Sequence, residues 1–220
     1  MSNKTALIVT IIVAVLAVGA VGFTIFVLGN GGGVQNLGGN DLEGVFIPDE
    51  DLVAELESVV EQLVYNNAEV FRLFNTKAFE DTHFEHEPYG NEPEDGFRTL
   101  RQEVIPNFET VDEIFALVDA TFAQEYASII KNDDTRTGGE GPVYTERVAQ
   151  PDRIGVNIYF DPLDDSRVWG AVEIDLEYES ENEALLILTP AGGDESQSKH
   201  SRIIRESDGW RLENLIQIYS

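Results

Sequence analysis

The densest cluster of chemically capable side chains is His83-Phe84-Glu85-His86-Glu87. Imidazole and carboxylate groups are zinc ligands, and a zinc site needs three or four of them to converge. On a strand, His83 and His86 would point to opposite faces because their separation is odd, and the following Pro88 disfavours a helix. The spacing therefore favours solvated or core-edge side chains over a metal site.

Two acidic loops, residues 92–96 and 161–165, offer oxygen atoms to a cation or to a basic partner. The segment from Asp161 to Asp165 has three carboxylates that suit calcium, but it lacks the glycine and final glutamate of an EF-hand loop. A turn between strands is the favoured interpretation, and we predict neither a metal nor a cofactor. The partner-binding residues that we predict from the two loops are Glu92, Glu94, Asp95, Asp161, Asp164 and Asp165.

Covalent catalysis lacks its usual residues, since the chain has no cysteine and no G-x-S-x-G motif. Glu173, Asp175 and Glu177 alternate along a predicted strand, and one of them could act as an acid or base in an apolar cavity. Three acids on one face are more typical of a solvated surface. We predict a protein that is not an enzyme. A nuclear-transport-factor-like or cystatin-like fold with a small-ligand or isomerase-like pocket remains the alternative.

The excess of acidic residues argues against some classes of binding partner. Of 220 residues, 14 are Lys or Arg and 41 are Asp or Glu, which gives a net charge of −27. Nucleic acids and anionic lipid surfaces bind clustered cations, so this composition argues against both. Only four of the cations are lysines. Adaptation to high salt and recognition of a basic partner both remain open as explanations.

The N-terminal part predicts a membrane anchor. No residue from Thr5 to Asn40 is charged, and the apolar run from Ala6 to Leu28 would make a helix of about 34 Å. A cleaved signal peptide is the competing interpretation, with Val18-Gly19-Ala20 as its site, but its apolar region would be shorter. We predict a transmembrane helix over residues 5–28.

Lys4 lies before this run and no lysine or arginine follows it until Arg72, so the positive-inside rule places residues 1–4 in the cytoplasm. Glycine and asparagine dominate residues 29–47, which we predict to be a flexible linker. Residues 48–220 are then an extracytoplasmic domain of a single-pass protein of the cell membrane. From residue 41 onward the chain has 13 cations and 41 anions, a net charge of −28.

Helical periodicity appears in two places. Apolar residues from Leu52 to Phe74 recur at helical spacing behind an acidic start, which predicts a helix over residues 50–74. Thr110-Val111-Asp112-Glu113 matches the capping-box pattern and starts a second helical stretch. A break at Thr121 divides that stretch into two helices before the loop of residues 133–141.

After Gly141 the apolar period falls to two, which predicts antiparallel strands. Ser207-Asp208-Gly209 is a hairpin signal. The predicted strands cover residues 154–160, 168–178, 184–188 (a central strand), 202–206 and 210–219. Residues 75–109 are predicted to be short strands and loops. Helices followed by such a meander predict an α+β domain with its helices packed on one curved antiparallel sheet.

Four segments resemble the IseA-type DL-endopeptidase inhibitor family of Gram-positive bacteria. They are the helix pair Phe108–Ile114 and Thr121–Ala127, the short tyrosine-bearing strand Val143–Glu146, and the closing Asp208-Gly209-Trp210-Arg211-Leu212. The similarity covers roughly residues 75–220. It implies an extracytoplasmic protein that binds cell-wall peptidases and blocks their cleft without catalytic residues of its own. An interaction or sensory ectodomain of a membrane complex is a further alternative.

Overall fold

A computed structural model describes residues 8–16, 20–28, 46–75, 79, 83–85, 96–147, 150–161 and 172–217. The chain divides into two compact units, a terminal unit of residues 1–61 and 167–220 and a central unit of residues 62–166. The described residues form helices and two antiparallel sheets, so the predicted α+β class is confirmed.

The helices are α1 (Glu50–Asn75), α2 (Val111–Thr121) and α3 (Gln124–Asn132). Short 3₁₀ turns cover Gln102–Val104, Thr135–Thr137 and Glu195–Gln197. The strands in chain order are β1 (Ile8–Leu16), β2 (Ala20–Leu28), β3 (Phe97–Thr99), β4 (Tyr144–Arg147), β5 (Gln150–Asn157), β6 (Val172–Tyr178), β7 (Glu183–Pro190), β8 (Lys199–Glu206) and β9 (Gly209–Leu212).

Helix α1 contributes to both units. The Asp49 carboxylate accepts a hydrogen bond from the Leu52 N–H (2.8 Å), which caps the helix where the acidic cluster predicted its start. In the terminal unit, Leu52, Leu56 and Val60 are buried at four-residue intervals and form one apolar stripe. The later turns of α1 belong to the central unit. Its buried residues there include Leu63, Val64, Val70, Leu73 and Phe74.

The terminal unit has a six-stranded antiparallel sheet with the order β2-β1-β6-β7-β8-β9. Alternate residues of its last four strands are buried on one face, which we call the inner face. Glu55 of α1 contacts Arg205 and Trp210 on that face, so α1 lies against it. The buried inner-face residues are Val172, Ile174, Ala184, Leu186, Leu188, Ser201, Ile203, Trp210 and Leu212.

Within the predicted membrane helix of residues 5–28, the structure describes residues 8–16 and 20–28. The structure has β1 and β2 there, paired with each other from Ile8↔Leu28 to Leu16↔Ala20. β-Branched and aromatic residues fill this run and suit strands as well as an apolar helix, so composition alone does not separate the two. Among the described residues, no helix is both long and apolar enough to cross a bilayer. The membrane helix stays a prediction.

The central unit confirms the predicted helix pair. The Thr110 hydroxyl accepts from the Glu113 N–H (3.3 Å), and the Glu113 carboxylate accepts from the Glu109 N–H, one residue before the cap. Helix α2 ends at Thr121 because Phe122 is extended, and Phe122 is fully buried. Strands β3, β5 and β4 form a separate three-stranded antiparallel sheet.

Tyr144 links β4 to the end of α1. Its hydroxyl donates to the Leu73 carbonyl (2.6 Å), and its ring meets that of Phe74 edge to face at 5.0 Å. The last carbonyl groups of a helix have no partner within the helix, so this bond satisfies a group that burial would otherwise leave unpaired. Arg72 and Glu69 form an ion pair one turn earlier (2.6 Å).

Three strand predictions need correction. The strands form two sheets instead of the single one predicted, because β3 and β4 pair with β5 while β6 pairs with β7. The predicted strand over 154–160 ends at Asn157, whose side chain starts a turn. The hairpin at Ser207-Asp208-Gly209 and the central position of β7 are confirmed, but β9 ends already at Leu212.

The Tyr144→Phe variant tests the helix-ending hydrogen bond. Removing the hydroxyl leaves a buried carbonyl unsatisfied, so the free energy of unfolding should fall by about 1–3 kcal/mol. Urea unfolding at neutral pH measures the change. Tyr159→Phe is the matched control because Tyr159 is 54 % exposed, and it should change stability little. Equal effects of the two variants would contradict the assigned role of Tyr144.

Buried tyrosines also make stability depend on alkaline pH. Burial raises the pKa of Tyr144, and burial with the nearby Glu57 carboxylate raises the pKa of Tyr178 to about 12. An unfolded tyrosine ionises near pH 10, so both groups stabilise the fold fully below about pH 10 and progressively less as the pH rises further. Urea unfolding between about pH 8 and 11 should show this loss, and Tyr178→Phe should lessen it.

Candidate functional site

One of the six predicted partner-binding residues lies in the described part of the chain. Asp161 is exposed, and its N–H donates to the Arg136 carbonyl (2.7 Å). Glu92, Glu94, Asp95, Asp164 and Asp165 lie outside the described residues. Asp161 therefore directs attention to the loop that contains Arg136, which the sequence interpretation treated only as a connection.

This loop, residues 133–142, is called the glycine loop below. Gly138, Gly139 and Gly141 have φ of +64°, +90° and +93°, a backbone conformation that other residues adopt rarely. The Asp134 carbonyl accepts from the N–H groups of Thr137 (3.1 Å) and Gly139 (2.9 Å). These bonds and the left-handed glycines give the exposed segment a defined conformation.

Two buried polar side chains fix the glycine loop by donating hydrogen bonds to its backbone carbonyls. The Thr137 hydroxyl lies 2.6 Å from the Gly141 carbonyl and 3.0 Å from the Asp134 carbonyl, and donates its one proton between them. Asn157 at the end of β5 donates through its amide nitrogen to the carbonyls of Glu140 (2.9 Å) and Pro142 (3.2 Å). Asn157 is 4 % exposed, so these bonds are shielded from water.

The same asparagine fixes a second segment, residues 157–161, called the tyrosine turn below. The Asn157 side-chain oxygen accepts from the Tyr159 N–H (2.9 Å), and the Asn157 carbonyl accepts from the Phe160 N–H (3.1 Å). All the hydrogen-bonding groups of one buried amide thus connect two exposed segments. Tyr159 is a large side chain that the turn leaves 54 % exposed.

The two segments present chemistry suited to binding. Asp133, Asp134, Glu140 and Asp161 provide four carboxylates against one guanidinium, that of Arg136. Carboxylates accept hydrogen bonds from lysine and arginine, and an exposed tyrosine supplies contact area at low cost in side-chain entropy. The arrangement can recognise a basic protein surface, and neither segment contains a histidine or cysteine that could serve as a nucleophile or base.

The histidine cluster is only partly described. Residues 83–85 run antiparallel to residues 99–101, with the Arg101 N–H donating to the His83 carbonyl (3.0 Å). Glu85 forms an ion pair with Arg153 (3.1 Å), and His86 lies outside the described residues. Within the described ranges, no three His, Asp or Glu side chains converge on a possible metal position.

The three alternating acids of β6 lie on the face of the terminal sheet opposite its buried core. Val172 and Ile174 point to the inner face, so Glu173, Asp175 and Glu177 point to the other face, here called the outer face. Glu177 is exposed and the other two are half-buried. The acid–base pocket that these residues could have formed would have required them to face α1.

A second polar cluster joins α1 to the β8–β9 hairpin. The Glu55 carboxylate accepts from the Arg205 guanidinium through both oxygens (2.8 and 2.6 Å) and from the Trp210 indole N–H (3.2 Å). The guanidinium also lies 5.5 Å from the Trp210 ring. The three side chains bind one another, so the cluster orients the start of helix α1 against the sheet of the terminal unit.

Sequence reasoning missed Asn157, Thr137 and Tyr159. Their signals were present but local: an aromatic residue directly before the Phe160-Asp161-Pro162 turn, and an asparagine at the last position of a strand. Which carbonyls the asparagine reaches depends on contacts across about 17 residues of chain, and no local pattern encodes them.

No protein-family model, no curated protein and no solved structure matches this chain.

The Asn157→Asp variant tests the clamp with almost no change of shape. It replaces the donating NH₂ group by an oxygen that faces two carbonyl oxygens, so the unfolding free energy should fall by about 1–3 kcal/mol. Amide hydrogen exchange at Gly139 and Glu140 should quicken. Asn132→Asp is the matched control, because the Asn132 amide makes one exposed hydrogen bond to Ser128. Unchanged exchange in the glycine loop would refute the clamp.

Proposed function

We propose that this chain is a membrane-anchored, extracytoplasmic, non-catalytic binding domain that inhibits a cell-wall DL-endopeptidase. The observation that carries the proposal is the clamped pair of exposed segments, the glycine loop and the tyrosine turn, with Tyr159 exposed on the turn and four carboxylates in the two segments. A blocking protein gains affinity from a contact surface ordered before binding, and it needs no reacting group of its own.

The charge of the domain supports a basic partner. From residue 41 onward the chain carries a net charge of −28, and the two segments contain four of its carboxylates. Such a field speeds the encounter with a positively charged surface and repels other anionic molecules, nucleic acid among them. The glycine loop and tyrosine turn then supply the short-range contacts.

The anchor in this proposal is the uncharged run of residues 5–28. In the structure its strand β1 pairs with β2 along its whole length and with β6 over residues 9–11. In lipid, the free edge of β2 would leave N–H and C=O groups without partners, whereas a helix satisfies them internally. We therefore propose a transmembrane helix in the bilayer, with residues 1–4 in the cytoplasm and residues 29–47 as linker.

The choice of target rests on the resemblance to IseA-type inhibitors, carried by residues 108–114, 121–127, 143–146 and 208–212. The secondary structure is compatible with it: α2 and α3 cover the helix pair, β4 covers the tyrosine strand, and β9 follows the closing turn. The tyrosine of that strand, Tyr144, is buried, so it supports the fold and leaves contact with a partner to the exposed segments.

An inhibition assay tests the function. Full-length protein in detergent micelles should slow peptidoglycan cleavage by a purified cell-wall DL-endopeptidase. Tyr159→Ala should weaken this inhibition roughly tenfold or more, as expected for an aromatic residue at the centre of a contact. The matched control is Ile129→Ala on α3, since Ile129 is 55 % exposed and lies outside both segments. Unchanged cleavage with added wild-type protein would reject inhibition.

The proposed orientation has its own test. Protease added to intact cells should remove the domain beyond residue 48 and leave an N-terminal fragment in the membrane fraction. A chain that is protected in intact cells and digested only after lysis would place the domain inside. Recovery of mature protein that begins near Ala20 would instead show a cleaved signal peptide.

A further inference from the structure

The outer face of the terminal sheet repeats one pattern across three strands. Cross-strand pairs align Glu177 of β6 with Leu185 of β7, and Leu185 with Arg202 of β8. The next row on the same face aligns Asp175, Ile187 and His200. Each row therefore reads acid, apolar residue, base from β6 to β8, with the apolar residue on the middle strand.

The ends of the first row are accessible. Glu177 and Arg202 are exposed; in the second row His200 is exposed and Asp175 is half-buried, and the apolar residues Leu185 and Ile187 are half-buried. Arg202 forms an ion pair with Glu179 (3.3 Å), and both side chains of this pair are largely exposed. An exposed pair of this kind contributes little, so Arg202 can exchange this partner for another carboxylate at small cost.

The location of the basic residues is notable in so acidic a chain. Residues 199–211, in β8 and β9, contain four of the 14 lysines and arginines of the protein; Arg202 and Arg211 point to the outer face, whereas Arg205 contacts Glu55 on the inner face. Complementary charge lies in the same sheet, on the three acids of β6 that point to the outer face. A second copy of this chain carries the same three acids.

We propose that the outer face binds a second copy of this chain through a two-fold axis that runs along β7. Such an axis turns each row end for end. Glu177 of one copy then faces Arg202 of the other, Leu185 faces its own counterpart, and the same holds for Asp175, Ile187 and His200. An isologous contact of this kind needs a self-complementary patch, which the acid–apolar–base rows provide.

The geometry of packed sheets fits this arrangement. Face-to-face sheets cross at about 30°, and the two-fold axis then bisects the angle between the two β7 strands, so that their middles lie over each other while their ends diverge. Glu183, at the start of β7, points to the same face but lies at its rim. The crossing separates the two copies of Glu183 and keeps them in water.

The overall charge sets the conditions for association. Two chains of net charge −27 repel each other, and at an ionic strength of about 0.15 M the Debye length of about 8 Å screens most of that long-range repulsion. Ion pairs in contact are screened less. The dimer proposal concerns a different face from the proposed inhibitory segments and does not depend on inhibition.

Charge exchange between the two ends of the row tests the proposal. Sedimentation of full-length protein in density-matched detergent at about 0.15 M salt should show a concentration-dependent dimer for the wild type. Glu177→Arg alone places Arg over Arg, and Arg202→Glu alone places Glu over Glu. Each single variant should therefore dimerise at least tenfold more weakly.

An equimolar mixture of the two single variants is the decisive sample. In the mixed dimer every Arg of one chain faces a Glu of the other, so association should return although neither variant associates alone. The recovery also shows that both variants fold. Glu146→Arg, the same change at an exposed strand position of the central sheet, is the control and should dimerise like the wild type. A monomeric wild type, or a mixture no stronger than its components, would overturn the proposal.

Discussion

Helix α1, one continuous run of 26 residues, contributes buried side chains to two hydrophobic cores. Its first turns give Leu52, Leu56 and Val60 to the terminal unit, and its later turns give their apolar residues to the central unit. Each part is held by a distinct polar contact. Glu55 binds the β8–β9 hairpin near the start of the helix, and the Leu73 carbonyl accepts from the Tyr144 hydroxyl near its end.

The acidity of the chain separates two kinds of surface. The glycine loop and the tyrosine turn together contain four acids and one cation, Arg136, so this surface favours a basic partner. On the outer face of the terminal sheet, acids and bases lie at opposite ends of registered rows, so this surface matches itself. A uniform explanation by solubility or salt adaptation predicts neither the clamped segments nor the ordered rows. The distribution of charge is therefore more informative than its total.

Local patterns predicted most of the secondary structure. The capping box at Thr110, the break at Thr121 and the hairpin at Gly209 were readable because each depends on neighbours within four residues. The division into two sheets was not readable, because strand partners are chosen by packing across the whole chain. The end of β5 at Asn157 was missed for the same reason, since its amide bonds carbonyls about 17 residues away. For residues 8–28, apolar composition suits a strand or a membrane helix, and the surrounding solvent decides between them.

The bond between Glu55 and Trp210 joins residues 155 positions apart, and the central unit lies wholly between them in the chain. A chain that emerges from its N-terminus first can complete the central unit while the last strands are still absent. The terminal unit closes only when β8 and β9 arrive, and it pays the entropy of closing a long loop at that moment. During synthesis the apolar stripe on the first turns of α1 therefore stays uncovered until the end of the chain has been made.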